Sequence, residues 1–244
     1  MEEIKMIFGA IVAGGVGNRM NLSGLPKQFL PLGNSKKPII IHTLEKFLLC
    51  DRIDYIYIGV HKDWLGYAEE LLDKYKINTK KVFVTAGGTD RNLTIMNIIE
   101  VIEANHGENS DNIIITHDAV RPFVTMKMIE ENIDAAIECG ACDTVVSSID
   151  TIIESSDGKY ISSVPERKLM YQGQTPQSFN ISKLKNLYLD LNDEEKNVLT
   201  DACKIFVFRN KPVKLVKGDT FNIKITTVSD YKIAQAIVGG STGD

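Results

Sequence analysis

Near its start the chain reads Ile7-Phe8-Gly9-Ala10-Ile11-Val12 and continues directly into Ala13-Gly14-Gly15-Val16-Gly17-Asn18-Arg19-Met20. A short run that is almost wholly apolar predicts a strand buried on both faces, as in a parallel sheet. The glycines that follow let the backbone approach a phosphate and direct successive N–H groups toward it. This stretch therefore predicts the first strand of an α/β sheet with an anion-binding loop at its carboxyl end.

The rest of the chain continues the alternation of strands and helices. We predict further strands over 55–60, 81–85, 112–116 and 143–149, and helices over 38–49, 63–75, 90–104 and 125–138. This pattern indicates a Rossmann-like, doubly wound and mostly parallel sheet with helices on both faces. Ligands bind beyond the carboxyl ends of such strands, so we expect four loops to converge on one crevice: 13–27, 86–94, 117–122 and 218–227.

Size and composition place limits on the function. The chain has 244 residues, 43% of them hydrophobic, which suits one domain over residues 1–238. A net charge of −4 argues against a surface for nucleic acid. No stretch reaches the roughly 18 apolar residues that span a bilayer, and the first residues lack the features of a signal peptide. We therefore expect a cytoplasmic protein with no membrane partner.

Residues 148–175 depart from the alternating pattern. Within them, residues 151–161 predict a β-hairpin, with Asp157-Gly158 at its turn. Such a β-arm is too small to bury its own faces, so we expect it to pack on another subunit. Residues 239–244 predict a flexible tail.

The first glycine loop admits several interpretations. A dinucleotide-binding loop would need Gly or Ala where Met20 stands, and a Walker loop would need Gly-Lys-Ser/Thr, which is absent. A glycine turn with no ligand remains an alternative. Arg19 and Lys27 favour a triphosphate, because two cations after such a loop can neutralise phosphates and a charged transition state. The alternative for Lys27 is a solvated surface lysine.

A second motif joins a predicted strand to a predicted helix at residues 86–94. Gly87 and Gly88 offer backbone groups at close range to a flat ligand such as a base. Arg91 and Thr94 lie on the first helical turn and can reach the same crevice. Asp90 is a candidate N-cap, which alone would explain its presence.

A third motif, Thr116-His117-Asp118-Ala119-Val120-Arg121-Pro122, ends the strand predicted at 112–116. Asp118 is a candidate Mg²⁺ ligand, because Mg²⁺ is commonly held by one or two carboxylates together with phosphates and water. A capping aspartate is the alternative. His117 is a candidate base, but an attack by one phosphate that releases another needs no base.

Six segments, taken in order, resemble one family. They are Ala-Gly-Gly-x-Gly-x-Arg-Met, Pro-Lys-Gln, Gly-Gly-x-x-Arg-x-x-Thr, His-Asp-x-x-Arg-Pro, Gln-Thr-Pro-Gln and Asn-Ile-Lys-Ile-Thr. Their order and spacing are similar to those of the cytidylyltransferases that make CDP-methylerythritol in isoprenoid synthesis, and of close relatives that make CDP-ribitol. The resemblance covers residues 6–238 and implies a sheet of the nucleotidyltransferase type.

The resemblance implies roles for individual residues. Arg19, Lys27 and Lys224 would be catalytic and would hold the phosphates. The CTP site would comprise Ala13, Gly14, Gly15, Gly17, Gly87, Gly88, Asp90, Arg91, Thr94 and Asp118. The polyol phosphate would be held by Arg121, Thr151, Arg167 and Thr175. In this family the arm exchanges across a homodimer, so Thr151 and Arg167 would serve the neighbouring site.

One position departs from the methylerythritol enzymes, which resemble Asp-Asn-Ile-Lys where this chain has Phe221-Asn222-Ile223-Lys224. A second metal carboxylate is therefore missing there, and Asp219 is the substitute that we consider. Residues 60–64, 171–177 and 199–206 look more like the ribitol-phosphate branch, which implies synthesis of cell-wall or capsule polysaccharide.

We therefore expect transfer of a cytidylyl group from CTP to D-ribitol 5-phosphate. Three alternatives stay open: methylerythritol 4-phosphate as the acceptor, another nucleoside triphosphate as the donor, and a non-catalytic nucleotide-binding regulator. A hydride-transfer enzyme ranks last because the dinucleotide pattern fails at Met20.

Overall fold

Strands and helices alternate through most of the computed structural model, which describes residues 5–15 and 24–240. The strands are β1 (Ile7–Ala13), β2 (Pro31–Leu32), β3 (Lys37–Pro38), β4 (Tyr55–Val60), β5 (Val82–Ala86), β6 (Ile113–Asp118), β7 (Ala141–Ser147), β8 (Tyr171–Asn180) and β9 (Lys214–Lys217). The helices are α1 (Ile39–Leu48), α2 (Leu65–Lys74), α3 (Arg91–His106), α4 (Met126–Cys139), α5 (Ile181–Leu189), α6 (Asp193–Asn197), α7 (Cys203–Phe208) and α8 (Val228–Gly240).

Seven of these strands form one sheet in the order β5-β4-β1-β6-β8-β7-β9. Strand β1 pairs in parallel with β4 and β6, β4 with β5, and β7 with β9. Only β8 runs antiparallel to its neighbours β6 and β7. The predicted Rossmann-like, mostly parallel sheet is therefore confirmed.

The core lies on both faces of this sheet, as the apolar first strand predicts. In β1, Phe8 and Ala10 pack into one cluster with the apolar face of α3, while Ile11 packs into another with α1 and α4. Successive side chains of a strand point to opposite faces, so β1 needs apolar residues at both. Within residues 5–15 and 24–240, no helix is both long and apolar enough to cross a membrane.

Most predicted elements are present, with shifted ends. The strand predicted at 143–149 instead spans Ala141–Ser147, and Ile149 is exposed. The helix predicted from residue 38 begins at Ile39, because Pro38 pairs with Pro31 in a two-stranded ribbon. The helix predicted from 63 begins as a 3₁₀ turn at Lys62–Trp64. Strands β8 and β9 and helices α5 to α8 lie outside the elements that we predicted.

The predicted arm is shorter and less regular than expected. Residues 171–175 belong to β8, which lies between β6 and β7 in the sheet, so the segment outside the sheet is 148–170, which we call the arm segment. Its predicted hairpin is reduced to one antiparallel bridge between Glu154 and Ser163. The chain bends at the predicted turn, where Gly158 has a φ of 69°. Two of the residues predicted as a flexible tail, 239 and 240, end α8, and 241–244 lie outside the described residues.

Candidate active site

Within the described residues, parts of all four loops expected to converge do meet, at a crevice beyond the carboxyl ends of β1 and β6. Ten predicted site residues line it: Ala13, Gly14, Gly15, Lys27, Gly88, Asp90, Arg91, Thr94, Asp118 and Lys224. Two other predicted residues, Gly17 and Arg19, lie outside the described residues. The crevice therefore combines loop backbone with lysine, arginine and a carboxylate.

Asp118 is at the centre of the charged groups. Its Oδ1 lies 3.2 Å from Arg91 Nε, and its Oδ2 lies 2.8 Å from Lys224 Nζ and 3.5 Å from Arg121 Nε. Burial alone would raise the pKa of Asp118, but the cations Arg91, Lys224 and Arg121 hold that pKa well below its usual range. Asp118 is therefore an ionised carboxylate that draws three cations to one point.

The neighbouring His117 is fully buried and supports Asp118 through a chain of hydrogen bonds. Its Nε2 donates to the carbonyl oxygen of Arg121 at 3.0 Å, which leaves Nδ1 to accept from the Thr175 hydroxyl at 2.9 Å. The same hydroxyl oxygen accepts from the Asp118 N–H at 3.1 Å. Burial lowers the pKa of His117 to about 4, so the ring is neutral near pH 7. His117 holds backbone in place and has no access to a ligand as a base.

The Thr94 side chain packs against Gly14 and Gly87 and leaves little room for a side chain at either position. Its hydroxyl donates to the Asp90 carbonyl oxygen at 2.8 Å and accepts from the Gly88 N–H at 3.0 Å. A Cβ at Gly14 would lie 3.1 Å from the Thr94 hydroxyl oxygen, and one at Gly87 would lie 3.0 Å from it. The first and second glycine motifs therefore meet around one buried threonine. Asp90 is also the N-cap of α3, accepting from the Leu93 N–H at 2.9 Å.

Gln28 is a residue of the crevice that our sequence reasoning missed. Its side-chain amide donates to the carbonyl oxygens of Ala13 at 2.7 Å and Gly15 at 2.9 Å. It is 2% exposed and follows Lys27 on a 3₁₀ turn. Gln28 therefore ties the first glycine loop to the turn that carries Lys27. The sequence signal for Gln28 was the Pro-Lys-Gln motif, in which we predicted a role only for Lys27.

The four residues predicted to bind the polyol phosphate do not line the crevice of this chain as free ligands. Arg121 is 9% exposed and its Nη1 donates to the Asn222 carbonyl oxygen at 2.7 Å. Thr175 is 4% exposed, with its hydroxyl used by His117 and Asp118. Thr151 and Arg167 are exposed on the arm segment, away from the crevice lining.

Two further predicted residues stand apart from the crevice lining. Asp219 lines a separate cavity beside β7 and β9, and its Oδ1 accepts from the Phe221 N–H at 2.8 Å. Asp219 is therefore not brought to Asp118 as a second metal carboxylate. The Gly87 N–H donates to the Val60 carbonyl oxygen at 2.7 Å, which fixes the start of the second loop.

The donor set determines what kind of metal site is feasible. Within the described part of the chain, no three His, Cys, Asp or Glu side chains are placed to hold a metal ion together. The crevice instead offers Asp118, together with Lys27 and Lys224 for phosphates. That set fits Mg²⁺, which commonly uses one or two carboxylates and takes its other ligands from substrate phosphates and water.

This fold and this site define a nucleotidyltransferase, in which loop backbone and paired cations at the carboxyl edge of a parallel sheet hold a nucleoside triphosphate. The family model for IspD, 2-C-methyl-D-erythritol 4-phosphate cytidylyltransferase, matches residues 7–240, and the chain belongs to that family. It is a CTP-dependent cytidylyltransferase, and the family generally uses a divalent metal.

Solved structures agree over nearly the whole length. The chain is similar to 4-diphosphocytidyl-2C-methyl-D-erythritol synthase from Anaerococcus prevotii, with 27% identity, a TM-score of 0.76 and 96% of each chain covered. It is also similar to the Francisella tularensis 2-C-methyl-D-erythritol 4-phosphate cytidylyltransferase, with 24% identity, a TM-score of 0.78 and coverage of 94% of this chain and 98% of that one. The second likeness establishes the fold alone.

Proposed function

We propose that the chain transfers the cytidylyl group of CTP to D-ribitol 5-phosphate, giving CDP-ribitol and pyrophosphate. A phosphate oxygen of the acceptor attacks the α-phosphorus of CTP, and the bond from that phosphorus to the bridging oxygen of pyrophosphate breaks. The observation that carries the proposal is the meeting of Lys27, Lys224 and Asp118 in one crevice.

The residues act by position and charge. Both the attacking and the leaving groups are ionised phosphates, so no proton has to be moved by a side chain. Lys27 and Lys224, with Arg19, neutralise the phosphates and the charge that develops on pyrophosphate. Gly14 and Gly15 present backbone beside the triphosphate, and Gly88 lies beside the base. Asp118 would hold Mg²⁺, which neutralises phosphate charge when it is bound.

Three segments that resemble the ribitol-phosphate branch support the acceptor. Two of them meet in space, because Gln177 of the segment 171–177 donates through its side-chain amide to the Asp201 carboxylate of the segment 199–206. The first segment also contains Thr175, whose hydroxyl accepts from the Asp118 N–H. One of the segments that favour ribitol phosphate therefore contacts the candidate metal ligand, and a second segment contacts the first.

The acceptor site is proposed to need a second copy of the chain. Thr151 and Arg167 would reach the crevice of the neighbouring subunit from the arm segment. Apolar side chains that are more than half exposed support an interface on this segment and beside it: Ile149, Ile153, Tyr160, Ile161, Val164, Leu169, Leu215 and Phe221. A group of exposed apolar side chains favours a protein–protein contact.

The test is product formation with purified protein, Mg²⁺ and ribitol 5-phosphate, with each of the four nucleoside triphosphates in turn. We expect pyrophosphate release with CTP alone, and a new diphosphate diester in the ³¹P NMR spectrum. Equal release with another nucleoside triphosphate would contradict the choice of donor. Nucleotide binding without pyrophosphate release, with either polyol phosphate, would favour the non-catalytic regulator.

Methylerythritol 4-phosphate is the second candidate acceptor. The observation that favours it is the family model, whose description names that substrate. The same crevice would serve both reactions, since both acceptors are polyol monophosphates.

A further inference from the structure

Lys224 belongs to a loop that has no regular structure of its own. Residues 218–227 form neither helix nor strand, between β9 and α8. The Lys224 side chain is 41% exposed, yet its Nζ lies 2.8 Å from Asp118 Oδ2. A loop without a ladder of backbone hydrogen bonds must be fixed by side chains if it is to place a cation.

Asn222 supplies that anchor. It is fully buried, and its side-chain amide donates to the Thr175 carbonyl oxygen at 2.8 Å and to Gln174 Oε1 at 3.2 Å. Its own carbonyl oxygen accepts from Arg121 Nη1 at 2.7 Å. One residue thus joins the loop to β8 and to the turn after β6, two positions before Lys224.

Two other contacts hold the loop on either side of the lysine. Gln174 Nε2 donates to the Asp219 carbonyl oxygen at 2.8 Å, which fixes the entry to the loop. The Ile225 N–H donates to the Val120 carbonyl oxygen at 3.0 Å, and the Ile225 side chain is fully buried. Hydrogen bonds therefore hold the loop on both sides of Lys224. Asn222 is the residue that bonds both to β8 and to the turn after β6.

We propose that Asn222 is a positioning residue that acts on cytidylyl transfer through Lys224, by fixing the loop that brings this lysine to Asp118. The proposal rests on the proposed function, in which Lys224 stabilises the transferring phosphates. Asn222 itself is fully buried and does not line the crevice. Its effect on the reaction should therefore disappear when Lys224 is absent.

A double-mutant cycle tests this relation on the full-length protein, with kcat/KM for CTP and ribitol 5-phosphate as the readout. We expect Lys224→Ala to lower kcat/KM by about 10²–10³-fold. Asn222→Ala should lower it by about 10- to 100-fold, since misplacing a group by an ångström has effects of that size. The double variant should match Lys224→Ala within about threefold.

Asn132→Ala is the matched control. Asn132 is equally buried, and its amide also donates twice, to the Met128 carbonyl oxygen at 2.8 Å and to the Thr144 hydroxyl at 2.8 Å. It should lower the thermal midpoint much as Asn222→Ala does, while kcat/KM of the folded enzyme changes less than about threefold. Gln174→Ala takes the place of Asn222→Ala in the cycle if that variant does not fold, with a loss of about three- to tenfold that also vanishes without Lys224.

The results distinguish a failure of the positioning role of Asn222 from a failure of the proposed function. If Lys224→Ala kept near-full activity, the role of Lys224 would be wrong and the role of Asn222 would fall with it. Suppose instead that Lys224→Ala is impaired. If Asn222→Ala then lowered kcat/KM further in the Lys224→Ala background, or had no effect on its own, only the positioning role would be overturned. An equal loss of kcat/KM in Asn132→Ala would also overturn it, by indicating a general effect of core damage.

Discussion

The crevice and the arm segment differ in how far the chain buries their side chains. In the crevice, Asp118 is 6% exposed and contacts three cations. In the arm segment, Tyr160 is 77% exposed and Ile161 is 65% exposed, around a single β-bridge. Each region contains residues that the family resemblance assigns to the site, but among the described residues the crevice includes the buried Asp118, whereas Thr151 and Arg167 of the arm segment are exposed.

The difference shows which parts of an active site depend on the core. The crevice residues lie at the ends of buried strands, so packing of the sheet fixes their positions. Thr151 and Arg167 lie in a segment whose large apolar side chains are exposed within the described ranges, and our proposal is that a second copy of the chain covers them. Four experiments with variants test how the crevice and its surroundings are built.

The largest effect is expected from Lys27→Ala. This change removes a cation from the crevice that we assign to transition-state stabilisation, so kcat/KM should fall by about 10²–10³-fold. Steady-state pyrophosphate release measures it. Lys80→Ala, at a cavity on the opposite edge of the sheet, is the control and should be neutral. Near-full activity of Lys27→Ala would refute the assigned mechanism.

Asp118→Asn should have the largest effect on stability. The change leaves Arg91 and Arg121 without their buried anionic partner, so the free energy of unfolding should fall by about 3 kcal/mol. Urea denaturation measures it. Asp150→Asn, at an exposed carboxylate of the arm segment, should change it by less than about 0.5 kcal/mol. Equal stabilities of the two variants would contradict the electrostatic account of the crevice.

A smaller and pH-dependent effect is expected from Asp143→Asn. Burial raises the pKa of Asp143 to about 6, aided by Asp201 and opposed by Gln177, Arg91 and Arg121. The folded protein then binds more protons than the unfolded chain between about pH 4 and 6, so this group makes stability fall as pH rises through that window. Asparagine keeps the acceptor for Gln177 and removes the charge.

Asp143→Asn should therefore stabilise the protein by about 2 kcal/mol at pH 8 and by much less at pH 4. Thermal or urea unfolding of both proteins across pH 4–8 measures the difference. A gain that is the same at every pH would contradict the raised pKa.

The last experiment mixes two impaired variants and measures how much activity returns, which tests whether the arm segment serves the neighbouring subunit. Lys27→Ala damages the crevice, and Arg167→Ala damages the arm segment. If the arm segment serves the neighbouring crevice, a mixed dimer has one intact site, and random exchange restores about a quarter of wild-type activity. No recovery after exchange, confirmed by native mass spectrometry, would place Arg167 in the crevice of its own chain or outside the reaction.

Much of the fold was predictable because the buried elements carry strong local signals. The apolar run at 7–12 and the candidate cap Asp90 placed β1 and α3 close to their observed bounds, and the helix predicted over 125–138 closely matches α4. Strand β8 was missed because its residues, Tyr171-Gln172-Gly173-Gln174-Thr175-Pro176-Gln177-Ser178-Phe179-Asn180, are mostly polar. Their burial follows from side-chain hydrogen bonds to distant segments, which no local pattern shows.

The candidate site was predictable as a set of loops, but not in its internal contacts. Glycines, lysines and Asp118 at strand ends indicated the crevice. The hydroxyl of Thr175, by contrast, is used by His117 and Asp118, which are 58 and 57 positions away. Gln28 and Asn222 hold the site together by donating hydrogen bonds to backbone carbonyl oxygens and, for Asn222, to the side-chain amide oxygen of Gln174. Such partners are brought together only by folding, so the sequence alone does not reveal them.

The choice of acceptor by this crevice is tested by measuring kcat/KM for ribitol 5-phosphate and for methylerythritol 4-phosphate, each with CTP and Mg²⁺ under the same conditions. We predict at least about a hundredfold preference for ribitol 5-phosphate, a ratio within what a site that hydrogen-bonds its substrate can reach. A preference for methylerythritol 4-phosphate would contradict the proposed acceptor and leave the cytidylyl transfer intact. No pyrophosphate release with either acceptor would contradict both.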